Sequence, residues 1–324
     1  MKIYRKALIA VLGGVAAAAS IFALGGCGEK TSSKAESGKS AVSSLATTDE
    51  ADAPAGLAAL GIDPGTVDVF PQVKHDGKNE VGFQLDAPKD GDTIAVIHTT
   101  AGDITMRFFP DQAPKAVTNF INLAESGSYN NTTFHYVEKD VLIRGGHCGN
   151  DPSSPNGVSS FGGMFEDEFC DSLCNLRGAV SMSNSSKDSN GSRFLINLTS
   201  AEKFKADGGW SAYDKLWEET KTQLGNYKDS NLLTAYIEEN GDRFINTDII
   251  PQTVKDLYDK NGGNPSLDGA YNAADRGSTV FAQVIDGLDI AEKISAVKTD
   301  DKNVPTENVS IKSVEIKTYS APKP

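Results

Sequence analysis

Residues 178–196 constrain the fold of this chain more than any other stretch. Two short apolar runs, Gly178-Ala179-Val180-Ser181-Met182 and Arg193-Phe194-Leu195-Ile196, are joined by a polar loop that carries Asp188, Asn190 and Gly191. Those three residues tolerate tight-turn dihedrals, and the runs beside them have the length and branching of β-strands. The loop is therefore pinned at both ends. A second hairpin is written upstream, where residues 94–99 and 104–109 flank the turn Ala101-Gly102-Asp103. Strands dominate the rest of the pattern, which leaves no room for the two α/β lobes of a transporter's binding lipoprotein.

Further motifs follow in a fixed order. Gly102-Asp103-Ile104 precedes Ala113-Pro114-Lys115-Ala116-Val117, Asn119-Phe120, Tyr129 and Phe134-His135. Gly145-Gly146 and Phe165-Glu166-Asp167-Glu168-Phe169 come next, then the loop with Met182, Asn184 and Asn190-Gly191-Ser192. Leu267-Asp268-Gly269, Val280-Phe281-Ala282-Gln283-Val284 and Gly287-Leu288-Asp289 complete the series. From about residue 95 to residue 294 this resembles the cyclophilins, a family of peptidyl-prolyl cis-trans isomerases. The resemblance implies a mainly β fold, a closed eight-stranded antiparallel barrel capped by two helices, and closure would remove exposed sheet edges. The two helices are expected from Pro114 to a stop at Gly127 and over residues 288–296, each with apolar residues on one face.

The first 26 residues read as an export signal: Lys2, Arg5 and Lys6 precede an apolar run that ends Leu24-Gly25-Gly26-Cys27. Leu-Gly-Gly-Cys resembles a bacterial lipobox, in which Cys27 carries the lipid, so the mature protein is expected on the outer face of the cell membrane. Two acyl chains, at about 0.8 kcal/mol per buried CH₂, anchor far better than one. Residues 27–56 are too poor in large apolar side chains to fold and form a tether with a reach of about 30 Å. An N-terminal extension follows over 57–90, the main domain over 91–319, and a tail over 320–324. Cleavage takes the formal charge from −13 to −16, because residues 1–26 hold three bases and no acid. That balance argues against nucleic acid as a partner.

Between 199 and 263 the family pattern stops, and helical apolar spacing recurs over 214–224, 231–239 and 251–261. This helical insertion is expected beside the binding groove, the alternative being a distant surface decoration. It holds both tryptophans, Trp210 and Trp217, either as its own core or as client contacts. Three cysteines remain beyond Cys27, namely Cys148, Cys170 and Cys174. A disulfide from Cys148 to one of the others, a metal site with His147, and plain burial as small hydrophobes all stay open.

Rotation about an X-Pro bond meets a barrier of about 18–20 kcal/mol from amide resonance. Its catalysis needs an apolar pocket, bonds that fix the neighbouring peptide, and a donor for the imide nitrogen in the twisted state; no metal or cofactor is required. In cyclophilins an arginine directly after Phe-His is that donor, and here the position is Tyr136. A phenol offers one neutral hydrogen bond without the charge or fork of a guanidinium. The resemblance also implies a substrate groove lined by Val141 and Leu142 in place of the usual aromatic and its neighbour, by Leu195 in place of a second phenylalanine, and by Ser278 in place of a histidine. Met182, Ser183, Asn184, Phe194 and Leu267 complete it, with Ser266 at a usual tryptophan. Arg144 and Arg193 occupy two usual glutamine positions and are candidates to supply the missing cation, or else are rim charges balancing Glu138, Asp140 or Asp188. The expected function is a tethered monomeric isomerase acting on proline-containing segments of exported proteins with altered or reduced activity. The alternative is a catalytically inactive, chaperone-like peptide-binding module.

Overall fold

The structure, a computed structural model, describes residues 73–149, 154–227 and 230–321. Cys27, the export signal and the tether lie outside the described residues. Strand β1 (Val73–Lys74) pairs in parallel with β6 (Phe169–Cys170). The other eight strands form one antiparallel sheet: β2 (Thr93–Thr99), β3 (Asp103–Phe108), β4 (Tyr136–Glu138), β5 (Leu142–Gly145), β7 (Ala179–Met182), β8 (Phe194–Asn197), β9 (Val280–Asp286) and β10 (Ile311–Thr318). Their spatial order is β10-β2-β3-β9-β7-β8-β5-β4.

Alternation along the strands explains why the sheet curls around one core. Ile97, Ile104, Met106, Ile143, Val180, Phe194 and Ile196 point inward and are buried together. Helix α1 (Pro114–Glu125) starts at a proline, whose missing N–H costs nothing at a helix start, and packs Val117 and Phe120 into this core beside β9 and β10. Helix α6 (Leu288–Ser295) brings Ala291 and Ile294 to it beside β3, β4 and β5. Phe120, Tyr129 and Phe281 meet at ring separations of 4.8 and 5.5 Å.

The expected barrel is seen as a curled eight-stranded half-barrel. Strands β4 and β10 stand at opposite ends of the order and share no ladder. The stretch before β4 reaches across to the start of β10, through Asn131 N–H to the Ile311 carbonyl at 2.8 Å, Ile311 N–H to the Thr132 carbonyl at 2.8 Å, Phe134 N–H to the Val309 carbonyl at 3.0 Å and an isolated bridge between Thr133 and Ser310.

The insertion forms four α-helices among the described residues, one more than its spacing suggested: α2 (Ala201–Ala206), α3 (Gly209–Asn226), α4 (Ser230–Asn240) and α5 (Gln252–Asn261), with a 3-10 turn over Gly241–Arg243. The short α2 was missed because its apolar face is the single Phe204, but Ser200 caps it by accepting from the Lys203 N–H at 3.2 Å. Trp217 is buried with Leu224, Leu233, Ile237 and Phe244 of the insertion and with Ala273 and Ala274 beyond it, so it serves as a core residue. Trp210 packs with Phe204 and Tyr258 in a second cluster that also contains Cys174 and Leu176 of the main domain. The insertion is thereby fastened to the segment that leads into β7, where Leu176 also forms an isolated bridge with Gly263. No described helix is long and apolar enough to cross a membrane.

Candidate active site

The outward face of four adjacent strands presents one transverse row. The β4–β5 hairpin sets Tyr136 opposite Arg144, β5 sets Arg144 opposite Leu195 of β8, and β8 sets Leu195 opposite Ser181 of β7. Side chains directly opposite on one face lie close enough to interact. The Arg144 guanidinium sits over the Tyr136 ring, 4.9 Å from its centroid. Its Nε is buried without a hydrogen-bond partner among the described residues.

The Tyr136 hydroxyl is already engaged. It donates to Glu138 Oε2 at 3.2 Å and accepts from Asn303 Nδ2 at 3.1 Å. Burial pushes its pKa above the ordinary value of 10.0. Tyr136 therefore serves as a platform for a cation, with its one proton spent on a neighbour. Arg193 is committed differently: its Nε donates to His147 Nδ1 at 2.9 Å. Burial, and then the Arg144 charge, lower its pKa. His135 stands 6.3 Å from His147 between ring centroids. Burial, followed by the charge of Arg193, holds His135 down to about 4, so its imidazole is neutral at pH 7. Arg144 and Arg193 thus supply the positive charge of this patch in an acidic protein, beside a neutral His135 and a His147 that accepts from Arg193.

Val141 and Leu142 are buried at the β4–β5 turn, where Asp140 takes a left-handed φ of 59° and the Leu198 N–H reaches the Val141 carbonyl at 2.7 Å. Leu195 is 1% exposed, while Leu267 is half-buried. Ser278 is buried, and its N–H donates to the Leu267 carbonyl at 2.9 Å, which joins the two residues expected to line the groove. Met182 and Phe194 differ from expectation. They are 1% and 0% exposed and belong to the inner core, because strand alternation turns them away from Ser181 and Leu195.

Asn184 is half-buried, and its side-chain amide donates to Asp167 Oδ1 at 2.8 Å and to the Gly277 carbonyl at 3.1 Å. Asp167 also accepts from Asn190 Nδ2 at 2.8 Å and from the Asp188 N–H at 2.9 Å. It thus ties down the loop that ends at Arg193. Burial pushes it up to about 6. Ser183 is buried and donates its N–H to the Arg193 carbonyl at 3.0 Å. The sequence shows Asp167 only as part of a motif and does not single out Asn303, since isolated polar residues in loops carry no periodic signal.

Cys148, Cys170 and Cys174 are free and buried, so the disulfide alternative is not realised and plain burial describes them. Burial pushes the Cys148 thiol up to about 11, which suits an inert packing role. No metal-holding group of three or more His, Cys, Asp or Glu side chains occurs among the described residues.

This arrangement offers a cation on an aromatic platform beside apolar side chains, with nothing poised for nucleophilic attack. Comparison with known proteins gives it a context. The family described as cyclophilin type peptidyl-prolyl cis-trans isomerase/CLD matches residues 94–222 and 253–316, and omits only 223–252 between the two segments. A Staphylococcus aureus protein carrying the name of a peptidyl-prolyl cis-trans isomerase is 34% identical over 238 residues, covering 70% of this chain and 93% of that protein. A Streptococcus pyogenes protein named as a bifunctional phosphatase and peptidyl-prolyl cis-trans isomerase is 33% identical over 241 residues, 72% of this chain and 40% of its own. A solved Cryptosporidium parvum cyclophilin overlaps 71% of this chain and 99% of its own, at 22% identity and a TM-score of 0.45. A family match that extends into both ends of the expected insertion and leaves out only 223–252, together with a relative aligned along almost its whole length, makes this chain a member of the cyclophilin-type peptidyl-prolyl cis-trans isomerases.

Proposed function

We propose that the protein is a lipid-anchored isomerase on the outer face of a bacterial cell membrane. It accelerates cis-trans exchange at X-Pro bonds of exported proteins, at a rate lowered by the loss of the arginine at position 136, and with Arg144 as the substitute donor. The observation that carries this reading is the Arg144 guanidinium stacked on the Tyr136 ring. The phenol gives its proton to Glu138, so the nearest cation able to meet a twisted imide nitrogen is Arg144. Charge-assisted donors are roughly twice as strong as neutral ones, and a donor placed where charge develops is worth about 10²-fold or more in rate. A guanidinium one strand away from the usual position keeps part of that gain. Val141, Leu142, Leu195 and Leu267 would hold the proline ring, and the backbone near Ser183 and Asn184 would grip the neighbouring peptide. The export signal and the lipobox ending at Cys27 support the tethered, extracytoplasmic setting.

The test is NMR exchange spectroscopy on a short Ala-Pro peptide with the unaltered mature chain, Arg144→Ala and Tyr136→Arg. Acceleration by the unaltered chain, a loss of about tenfold or more in Arg144→Ala and a gain in Tyr136→Arg are expected. An unchanged rate in Arg144→Ala would remove that residue from the mechanism. Peptide shifts without acceleration would instead identify a non-catalytic peptide-binding barrel. In cells, Cys27→Ser is expected to move the protein out of the membrane fraction, and retention there would contradict the anchor.

A further inference from the structure

The outward row of strands continues into a buried polar network that ends in the insertion. Ser181 Oγ donates to Asn175 Oδ1 at 2.6 Å, and Asn197 Nδ2 donates to the same oxygen at 3.1 Å. The other side of Asn175 faces the groove loop. Its Nδ2 donates to the Leu267 carbonyl at 3.0 Å, to Asp268 Oδ1 at 3.0 Å and to the Ser278 carbonyl at 3.3 Å, while its backbone N–H donates to Asp268 Oδ1 at 2.7 Å. The second carboxylate oxygen of Asp268 accepts one further bond, from the Tyr258 hydroxyl at 2.5 Å.

Tyr258 is fully buried on α5, where it packs against Phe204 and Trp210 of the insertion. A hydroxyl inside an apolar cluster is costly without a partner, so its orientation onto Asp268 is held firmly. The insertion grips the same loop a second time, through the Tyr213 hydroxyl on Asn264 Oδ1 at 3.4 Å, and Asn264 Oδ1 also accepts from Ser266 Oγ. The Asn264 N–H returns to the Asn175 carbonyl at 2.8 Å. Segment 264–268 is thus clamped between Asn175 on the sheet side and two insertion tyrosines on the other.

We propose that Tyr258 is a positioning residue for substrate: acting through Asp268 and Asn175, it sets where Leu267 and Ser278 stand in the groove, so the insertion helps determine how well a proline ring is held. This rests on the reading of Leu267 and Ser278 as groove wall. An interaction that holds the wall equally in the ground and twisted states changes KM more than kcat.

The experiment uses the full mature chain with Tyr258→Phe, which keeps the ring and removes the hydroxyl, beside Trp210→Phe. The second variant disturbs the same apolar cluster and the bond from the indole to the Lys255 carbonyl, but makes none of the bonds to segment 264–268. Tyr258→Phe is expected to raise KM for an Ala-Pro peptide about fivefold or more, with kcat within about twofold, and to move the amide resonances of Leu267 and Ser278. Trp210→Phe is expected to lower thermal stability and leave KM in place. An unchanged KM in a folded, active Tyr258→Phe protein overturns the proposal, as does an equal rise in Trp210→Phe. Failure of the groove reading looks different: the unaltered chain would then neither bind nor isomerise the peptide, whichever residue stands at 258.

Discussion

At position 136 a phenol lies under a guanidinium that arrives from the next strand, and the positive charge around it comes from Arg144 and Arg193, with a neutral His135 beside them and His147 accepting from Arg193. The Arg193 charge is the second cause, after burial, of the low pKa of His135. Arg193→Ala is therefore expected to raise the His135 pKa from about 4 towards its ordinary 6.5, stopping short because burial persists. A proton NMR titration of the histidine ring reads this directly, and an unmoved midpoint would show that the two groups do not sense each other. Gly146 next to this patch has φ +74°, and a Cβ there would stand 2.6 Å from the Phe194 ring and 2.9 Å from Tyr129. Gly146→Ala should lower unfolding free energy by about 3 kcal/mol or more in chemical denaturation, through strain and overpacking together. That Arg144 and Tyr136 share a face was legible once the strand-turn-strand pattern of residues 134–146 was recognised. Arg193's bond to His147 was not, since it joins side chains 46 residues apart.

Among the elements, the hairpins were the most readable, because period-two alternation and the turn residues speak for themselves. The extension before β2 was the least readable, and it proves to be fastened to the sheet. Gln84, in the short turn Phe83–Leu85, is fully buried; it donates to the Cys174 carbonyl at 3.0 Å and to Gln283 Oε1 at 3.1 Å, and accepts from the Cys174 N–H at 2.8 Å. Arg107 reaches back to the Phe83 carbonyl at 3.1 Å, and Phe83 meets Phe109 at 5.4 Å between rings. Gln84→Ala would strand the buried Cys174 N–H and Gln283 Oε1, while the Cys174 carbonyl keeps the Leu176 N–H, at a cost of about 2–4 kcal/mol, against no more than about 0.5 kcal/mol for an ordinary surface change. A denaturation midpoint matching the parent's would show that the extension is not part of the folded unit. The insertion lies between these extremes: its helices carry their own apolar spacing, but their attachment to the main domain runs through Tyr258 and Tyr213, whose partners lie in segment 264–268.

For the whole molecule, stability depends on how burial redistributes protons. Asp167 and Asp268 rise from 3.8 to about 6, chiefly by desolvation, so between those values the folded chain holds protons that the unfolded chain has released. Their contribution is fully present below about pH 4 and is lost as pH rises through about 6. His135, lowered from 6.5 to about 4, runs the other way: its contribution is present above pH 6.5 and is lost as pH falls through about 4. Asp268→Asn keeps an acceptor for Asn175 and offers an amide to the Tyr258 oxygen. Relative to the parent, this variant should gain up to about 3 kcal/mol of unfolding free energy between pH 4 and 7. A constant difference across that range would show that Asp268 is ionised throughout. The hairpins, the two flanking helices, the family and the loss of its arginine all follow from residue types at short spacing, where local sterics and alternation operate. The half-open sheet, the inward turn of Met182 and Phe194, the different partners of Arg144 and Arg193 and the clamp on segment 264–268 arise from contacts between residues distant in sequence. Their partners are selected by packing, and packing is settled only when the whole sheet has curled around its core.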